Sequence, residues 1–550
     1  MTDPERGSLP FNYGGRAPLV WILFPLIAGY SLATTSIIAD QQTLLALIAA
    51  ITALSALFTA KFSWIWKPLF LLAATSLSAC WYQVRVNTLN PDWETLPPRE
   101  LELSIRIENL YSTTDDTVAG IATIVEAPKI AEDLLKQKVQ FQLHREKEQI
   151  PETGDLILAK GLISYRQSNP LASNSFDRYL KRQHILLQFR RGTILNHTPA
   201  LSPSARFFSK AREKLESGLL RGTEAYLESG IFAAMLSGNK RLIPAAEKQA
   251  FSESGTLHLF AVSGLHVMTV SAVIFYIFHF LRIPRPATTL LCLAGTAFYV
   301  FTTGASPSAL RALFIIVIYA GARLFQREPQ LWPALVFSAL LVLIASPDQL
   351  RAPGFQLSYA VTSAIALYGI PLTRFFREQG SLYPLIPTDS LNLFQRFTEA
   401  SWRKLSGLFA ISLSAFLGSI GLSVYHFETF AFSGLLLNMI VVPLAPICVT
   451  LGVFSSLCGF SGFAAGSIFF NKGAFLVLQL ILGPVLYFQS ITGAGTHWSF
   501  SGDLIGIFSV VVLFTANALP CVFRKGTDAG SFFIAPLFLF GIWLCAMHPV

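Results

Sequence analysis

The chain has 550 residues, of which 53% are hydrophobic and 13% charged; soluble domains carry roughly 25% charge. Ionised groups are too few to cover a globular surface, which excludes a soluble enzyme for most of the length, and 46 Phe, 15 Tyr and 9 Trp exclude disorder. The composition is that of a polytopic membrane protein. Lys and Arg exceed Asp and Glu by 41 to 32, for a net charge of +9. In a membrane protein that excess first marks cytoplasmic loops.

Residues 18–38 are apolar enough to span and lack a small-residue cleavage site, so they read as an anchor. Two further spans are expected near 43–60 and 64–81. Lys61 and Lys67 lie on the loop between these two, whereas the loop before them carries Asp40. The positive-inside rule then puts the N-terminus in the cytoplasm and the chain after residue 82 outside.

Residues 82–205 are a different material. Short runs with period-two or β-branched character occupy 101–110, 117–127, 137–144, 155–163 and 185–194, separated by polar or Gly/Pro turns. Five short strands in about 100 residues predict a small barrel, with the OB-fold as the five-stranded candidate. One stretch of it is basic: Lys160, Arg166, Arg178, Lys181, Arg182, Arg190 and Arg191, opposed by Asp177 and interleaved with Tyr165, Phe176, Tyr179 and Phe189. Such a stretch is either a solvated face or a groove in which cations meet phosphates and rings stack on bases.

Residues 202–229 predict one or two amphipathic helices. Further spans are expected at 255–281, 286–303, 308–325, 331–346, 356–373, 405–424, 431–456, 466–490, 503–520 and 531–547. Pro443 and Pro446 predict a break in the span at 431–456. Loops carrying Arg282 and Arg285, Arg323 and Arg327, Arg374 through Lys404, and Arg524 and Lys525 are assigned to the cytoplasm. The C-terminus then falls outside. The fold expected is thus a polytopic α-helical membrane protein of about 12 to 13 spans with an extracytoplasmic five-stranded OB-like barrel. Its parts are 1–82, three spans; 83–200, the barrel; 201–254, linker helices; 255–500, the main membrane domain; and 501–550, two last spans.

Several chemistries lack their residues. No Gly-Lys pair occurs, so there is no phosphate-loop lysine. No two histidines lie within five residues of each other, and no Gly-x-Ser-x-Gly elbow is present. The six cysteines (Cys80, Cys292, Cys448, Cys458, Cys521 and Cys545) form no Cys-x-x-Cys and sit in or beside apolar runs. No catalytic residue, metal or cofactor is therefore expected.

Polar residues do enter the membrane segments, at four places. Residues 253–267 contain Gly255, His258, Ser263, Gly264 and His266. Intramembrane histidines are costly unless they face water or a partner, so this reads either as a broken helix lining a polar path or as small-residue packing with satisfied histidines. On one continuous helix His258 and His266 would lie about 80° apart and two turns apart, at two depths of one path. Residues 303–311 place Ser306 and Pro307 at a helix start and Arg311 one turn inside. That arginine needs a carboxylate, a water path or an anion, unless it snorkels. Residues 351–359 bring Arg351, Gln356 and Ser358 past a Pro-Gly turn. Residues 425–446 hold His426, Glu428 and Asn438. Together the four predict one shared interior site.

In this order the motifs resemble the ComEC family of bacterial competence proteins. AMLSGNKRLIP at 234–244 with GTLHLFAVSGLHV at 255–267 carries the closest resemblance. TGASPSALR at 303–311, SPDQLRAPGFQLSYA at 346–360 and the segment from Tyr425 continue it, and FDRYLKRQHI at 176–185 resembles the end of the family's N-terminal domain. The resemblance implies an inner-membrane channel passing one DNA strand into the cytoplasm during natural transformation. Gly255, His258, Ser263, Gly264, His266, Ser306, Pro307, Arg311, Gln356 and Asn438 would line its path. The outer barrel would receive DNA. Implied partners are single-stranded DNA, a cytoplasmic motor or DNA-binding protein, receptor or pilus components outside, and membrane lipids. Many members continue into a metallo-β-lactamase-like domain; its histidines are not in this sequence, so a separate nuclease is expected to degrade the second strand. Asn239 replaces a frequently acidic signature residue, which puts a carboxylate role there in doubt. The rival reading is a secondary transporter of a small anionic or lipid-linked solute.

Overall fold

The structure is a computed structural model. It describes residues 19–500 and 547–549, apart from 34–41, 59–62, 87–92, 94–96, 114–115, 145–150, 152–153, 167–176, 178, 181–182, 184, 200–202, 227, 245–246, 249, 252–253, 257, 259–261, 329, 381–382, 384–389 and 493–495. The spans expected at 503–520 and 531–547 lie outside the described residues. The chain divides into two compact units, with the divisions after Arg16, Lys210, Ser338 and Ala352.

One unit holds three helices, α1 (Val20–Ala33), α2 (Gln42–Phe58) and α3 (Ser63–Arg85), the barrel, and residues 339–352. α1 meets α3 at Gly29, where any side chain would collide with the Thr75 carbonyl. The fully buried Tyr30 donates its hydroxyl to the Leu343 carbonyl at 3.0 Å, and Trp81 donates its indole N–H to the Ile344 carbonyl at 3.2 Å.

The barrel comprises β1 (Arg99–Thr113), β2 (Thr117–Glu126), β3 (Lys138–His144), β4 (Leu156–Tyr165) and β5 (Leu187–Thr198). It closes in the order β1-β2-β3-β5-β4, with β3 and β5 parallel and the other pairs antiparallel. This is OB-like topology. Alternation makes it: Leu103, Ile105, Ile107, Val118, Ala122, Ile124, Val139, Phe141, Leu143, Ile157, Ala159, Ile163 and Phe189 all point inward and are buried. Burying a side chain of this size contributes about 1.5–3 kcal/mol, so the alternation alone fixes which face is inside. Gly161 and Gly192 let β4 and β5 approach closely; a Cβ on Gly161 would lie 2.9 Å from the Gly192 Cα.

The other unit is helical. It contains α4 (Pro203–Leu220) from Ala211 onward, α5 (Ser229–Ser237), α6 (Gly264–Phe280), α7 (Arg285–Thr302), α8 (Pro307–Leu324), α9 (Leu331–Ala345) as far as Ser338, α10 (Pro353–Gln379), α11 (Leu393–Phe427), α12 (Ser433–Phe460) and α13 (Ala464–Thr492). Three short strands, β6 (Thr429–Phe430), β7 (Thr496–Phe500) and β8 (Met547–Pro549), form a small sheet. α5 is apolar all round and is the centre of the core: Phe232, Met235 and Leu236 pack with Leu437, Val441 and Val449 of α12 and Leu478, Ile481 and Val485 of α13. α10 and α11 approach closely at Gly418, where a Cβ would meet the Ala364 Cβ at 2.6 Å.

Among the described residues five helices are long and apolar enough to cross a membrane, at Pro307–Leu324, Pro353–Glu378, Leu393–Phe427, Ser433–Phe460 and Ala464–Ser490. Shorter apolar helices lie at Val20–Ala33, Leu44–Ser55, Gly264–Phe280 and Leu331–Ala345. The protein is a polytopic helical membrane protein with an OB-like barrel. Two local expectations are corrected. The helix expected from 255 begins only at Gly264. Pro443 and Pro446 do not break α12, which runs unbroken through both; in apolar surroundings the freed carbonyls find no competing water, and neighbouring helices support the turn.

Candidate functional site

The polar motifs of the helical unit lie at helix ends. Ser263 is the N-cap of α6, and His266 sits in its first turn. The Ser263 amide donates to His266 Nδ1 at 3.3 Å, and the Ser263 hydroxyl is 2.7 Å from the same nitrogen. Nδ1 is thereby an acceptor, which places the ring proton on Nε2. Nε2 is buried without a partner among the described residues, on a side chain only 1% exposed. His258 is not on this helix. It precedes the helix and is exposed, with Nδ1 3.0 Å from the Gly255 carbonyl. The two histidines therefore do not mark two depths of one helix face. Gly255, with φ +72°, makes the bend, and a Cβ there would lie 2.9 Å from that of Ala431.

Ser306 is the N-cap of α8, accepting from the Ala309 amide at 3.3 Å, with Pro307 as the first helical residue. Its hydroxyl also donates to the Val262 carbonyl at 3.3 Å, which joins the start of α8 to the start of α6. Gly264 faces α8 across 3.7 Å of ordinary contact from its Cβ position to the Ala312 Cβ. The loop before Ser306 reaches the end of α5 as well. Gly238, at φ +75°, would place a Cβ 3.0 Å from Val262 and 3.3 Å from the Thr303 carbonyl. Tyr299 donates to the Leu236 carbonyl at 3.0 Å.

Arg311 stands one turn inside α8 and is 2% exposed. It neither snorkels nor meets a carboxylate among the described residues. Its Nη1 donates to the Gly354 carbonyl in the first turn of α10 at 2.6 Å. The guanidinium carbon lies 5.1 Å from the centre of the Tyr359 ring and 6.0 Å from that of Phe355, within cation–π range. Tyr359 is tied to Ser338 by 3.0 Å between hydroxyls. Two residues after Gly354 on α10, Gln356 Oε1 accepts from His426 Nε2 at 2.9 Å. His426 is 2% exposed at the end of α11. Gln356 and His426 therefore meet as partners, and Arg311 joins them through the same turn of α10. Asn438 stands apart on α12, with Oδ1 buried and unpaired among the described residues.

Sequence reasoning missed several residues here. Arg212 of α4 donates to the Thr302 carbonyl at 2.9 Å, and Asn239 donates to the Glu216 carboxylate at 3.1 Å. Asn239 thus borrows from α4 the carboxylate it does not itself carry. Asn471, fully buried, caps the end of α4 by donating to Gly218 and Arg221 carbonyls, both at 2.9 Å. An asparagine in an apolar run was the only signal for it.

The barrel separates its basic residues by role. Lys160, Arg190 and Arg191 are exposed on neighbouring strands β4 and β5. Arg191, at φ +53°, is a bulge residue opposite the Gln142/Leu143 step, so both arginines face outward. Lys160 lies 3.9 Å from Glu100. Tyr165 and Tyr179 are half-buried. Burial pushes the Tyr179 hydroxyl above its usual range. Arg166, expected among the available cations, is buried and bonded to Asp177 and Gln140. Burial, and then the charge of Arg190, pulls its pKa down to about 10. It is a structural cation. Phe189, expected to stack on bases, is in the barrel core. Arg178, Lys181, Arg182 and Phe176 lie outside the described residues. Among the described residues no cluster of three His, Cys, Asp or Glu could hold a metal.

A family model described as "Competence protein" matches residues 235–521, the stretch holding the converging motifs. ComE operon protein 3 of Bacillus subtilis (strain 168) is 29% identical over 54% of this chain and 35% of its own length. The uncharacterized protein YcaI of Escherichia coli (strain K12) is 24% identical over 36% of this chain and 26% of its own. The matches thus span about a third and a quarter of these curated relatives. No solved structure matches significantly.

Proposed function

The chain belongs to the competence-protein family, and from that premise we propose that it is the inner-membrane channel through which one strand of captured DNA enters the cytoplasm in natural transformation. The observation that carries this reading is the convergence of the family's polar motifs, scattered from residue 238 to 426, at adjoining ends of α5, α6, α8, α10 and α11. Packing alone does not require a buried arginine and histidine there. A polyanion does, since its phosphates need donors wherever apolar walls replace water.

The barrel is the receiving surface, with Lys160, Arg190 and Arg191 meeting phosphates from outside the membrane. The strand then passes by Gly255, His258, Ser263, Gly264, His266, Ser306, Arg311 and Gln356. The protein acts as a channel rather than an enzyme. Without a phosphate-loop lysine in the sequence, a cytoplasmic motor or DNA-binding protein draws the strand inward, and a separate nuclease removes its complement. Receptor or pilus components deliver DNA to the barrel. The N-terminus is cytoplasmic and residues 82–205 lie outside.

The test is deletion of the gene, with transformation frequency and surface-bound DNA scored separately. Transformation is expected to vanish while surface binding persists. Unchanged transformation removes the reading.

A further inference from the structure

Arg311 carries an inference that deepens the channel reading and rests on it. A guanidinium has five N–H donors. One nitrogen, Nη1, is used on the Gly354 carbonyl. The other two, Nε and Nη2, are buried and have no partner among the described residues. These two lie side by side on the guanidinium and form the fork that binds two oxygens of one carboxylate or phosphate. Burying such a fork empty-handed is strongly unfavourable, and no carboxylate among the described residues lies within reach to offset it.

The surroundings point to the same ligand. Nη1 anchors the guanidinium against the first turn of α10, where the amides of Gly354 and Phe355 have no acceptor within the helix. The Tyr359 and Phe355 rings lie 5.1 and 6.0 Å from the guanidinium carbon and flank it. On the neighbouring helix, joined to α8 at Gly264 and Ala312, His266 presents a second buried unpaired donor at Nε2. These are donors without matching acceptors, on rigid elements.

We propose that Arg311 is a phosphate seat: Nε and Nη2 grip the two non-bridging oxygens of one backbone phosphodiester of the passing strand, while Nη1 stays on Gly354. Each phosphate is held in turn and released to the next. A lipid headgroup or free phosphate has the same oxyanion chemistry, and the experiment separates these sources.

Uptake of labelled donor DNA into a nuclease-protected pool is measured in a deletion strain carrying wild type, Arg311→Lys or Arg311→Gln. The donors have either an all-phosphodiester strand or a tract of uncharged methylphosphonate linkages. Wild type expressed down to each variant's abundance is the reference, so a variant that folds poorly is still compared. Lysine keeps the charge and a donor for Gly354 but loses the fork. The expected result is a fall of about ten- to a hundred-fold in uptake of phosphodiester DNA for Arg311→Lys, the scale of a lost charged hydrogen bond. Wild type should slow on the uncharged tract, and both variants should lose that discrimination. Normal uptake by Arg311→Lys with discrimination retained makes Arg311 a strut between α8 and α10 and overturns the proposal. A variant defect that tracks anionic-lipid content or added inorganic phosphate, and ignores the donor backbone, also overturns it, in favour of a headgroup or a free ion. Normal uptake by the deletion strain sinks the channel reading itself, a different outcome from either.

Discussion

His426 at the end of α11 donates from Nε2 to the side-chain oxygen of Gln356 in the first turn of α10, at 2.9 Å. The two residues are 70 apart in sequence, and their bond fixes α10 against α11 beside the Arg311 anchor. Gln356→Leu leaves the buried His426 nitrogen facing an apolar group. A loss of about 1–3 kcal/mol is expected, read as a lower melting temperature of the purified protein in detergent. His426→Gln, which can still donate, should cost less. Equal losses from both would show that the bond is not what holds the pair.

Gly264 and Gly255 should respond differently to alanine. A Cβ at Gly264 meets Ala312 at an ordinary 3.7 Å, so Gly264→Ala should be nearly neutral in abundance and uptake. Gly264→Leu adds atoms where α6 meets α8 and should abolish uptake at normal membrane abundance. Gly255→Ala combines positive φ with a 2.9 Å contact to Ala431 and should cost about 1–2 kcal/mol from the backbone alone. Normal uptake by Gly264→Leu would remove this contact from the path.

The barrel closes over its own core, to which Trp93 belongs, so residues 93–199 should fold alone and bind single-stranded DNA weakly, without sequence preference. Log K should fall with log salt by roughly 0.7 per phosphate contact. Lys160→Gln and Arg190→Gln should weaken binding with little change in melting temperature, since both side chains are exposed. Arg191→Asn removes charge while tolerating the left-handed backbone. Arg166→Met should behave oppositely: it removes the buried bonds to Asp177 and Gln140 and should destabilise by about 1–3 kcal/mol. Binding that ignores salt would contradict the phosphate reading.

Much of this architecture is legible in the sequence, for physical reasons. Period-two alternation reports an inside and an outside, so the strands near 101–110, 117–127 and 137–144 were readable to within a few residues. The same alternation misplaces the basic residues. Leu187 and Phe189 face inward, which would send residue 191 inward too, but the bulge at Arg191 shifts the register and turns Gly192 in instead. No local pattern announces a bulge. Likewise Arg166 reads as one more surface cation until tertiary structure brings Asp177 and Gln140 to it. In the membrane, apolar length marks helices well, yet it could not separate 254–263 from α6, because a bend at Gly255 depends on packing against Ala431.

The orientation has its own test. In a cysteine-free background, a cysteine near residue 150 should be labelled from outside intact cells, and one within residues 384–395 should not. The reverse pattern inverts the topology.

The central claim is passage of a single strand, and the direct measurement is transport by the purified full-length protein in liposomes. Labelled single-stranded DNA is added outside, with a single-strand-binding protein trapped within, and the nuclease-protected label is counted. The account predicts protected label that requires the protein, rises with trapped binding protein, and falls for Arg311→Lys. Protected label no higher than in protein-free liposomes, with the protein folded and inserted, would contradict it.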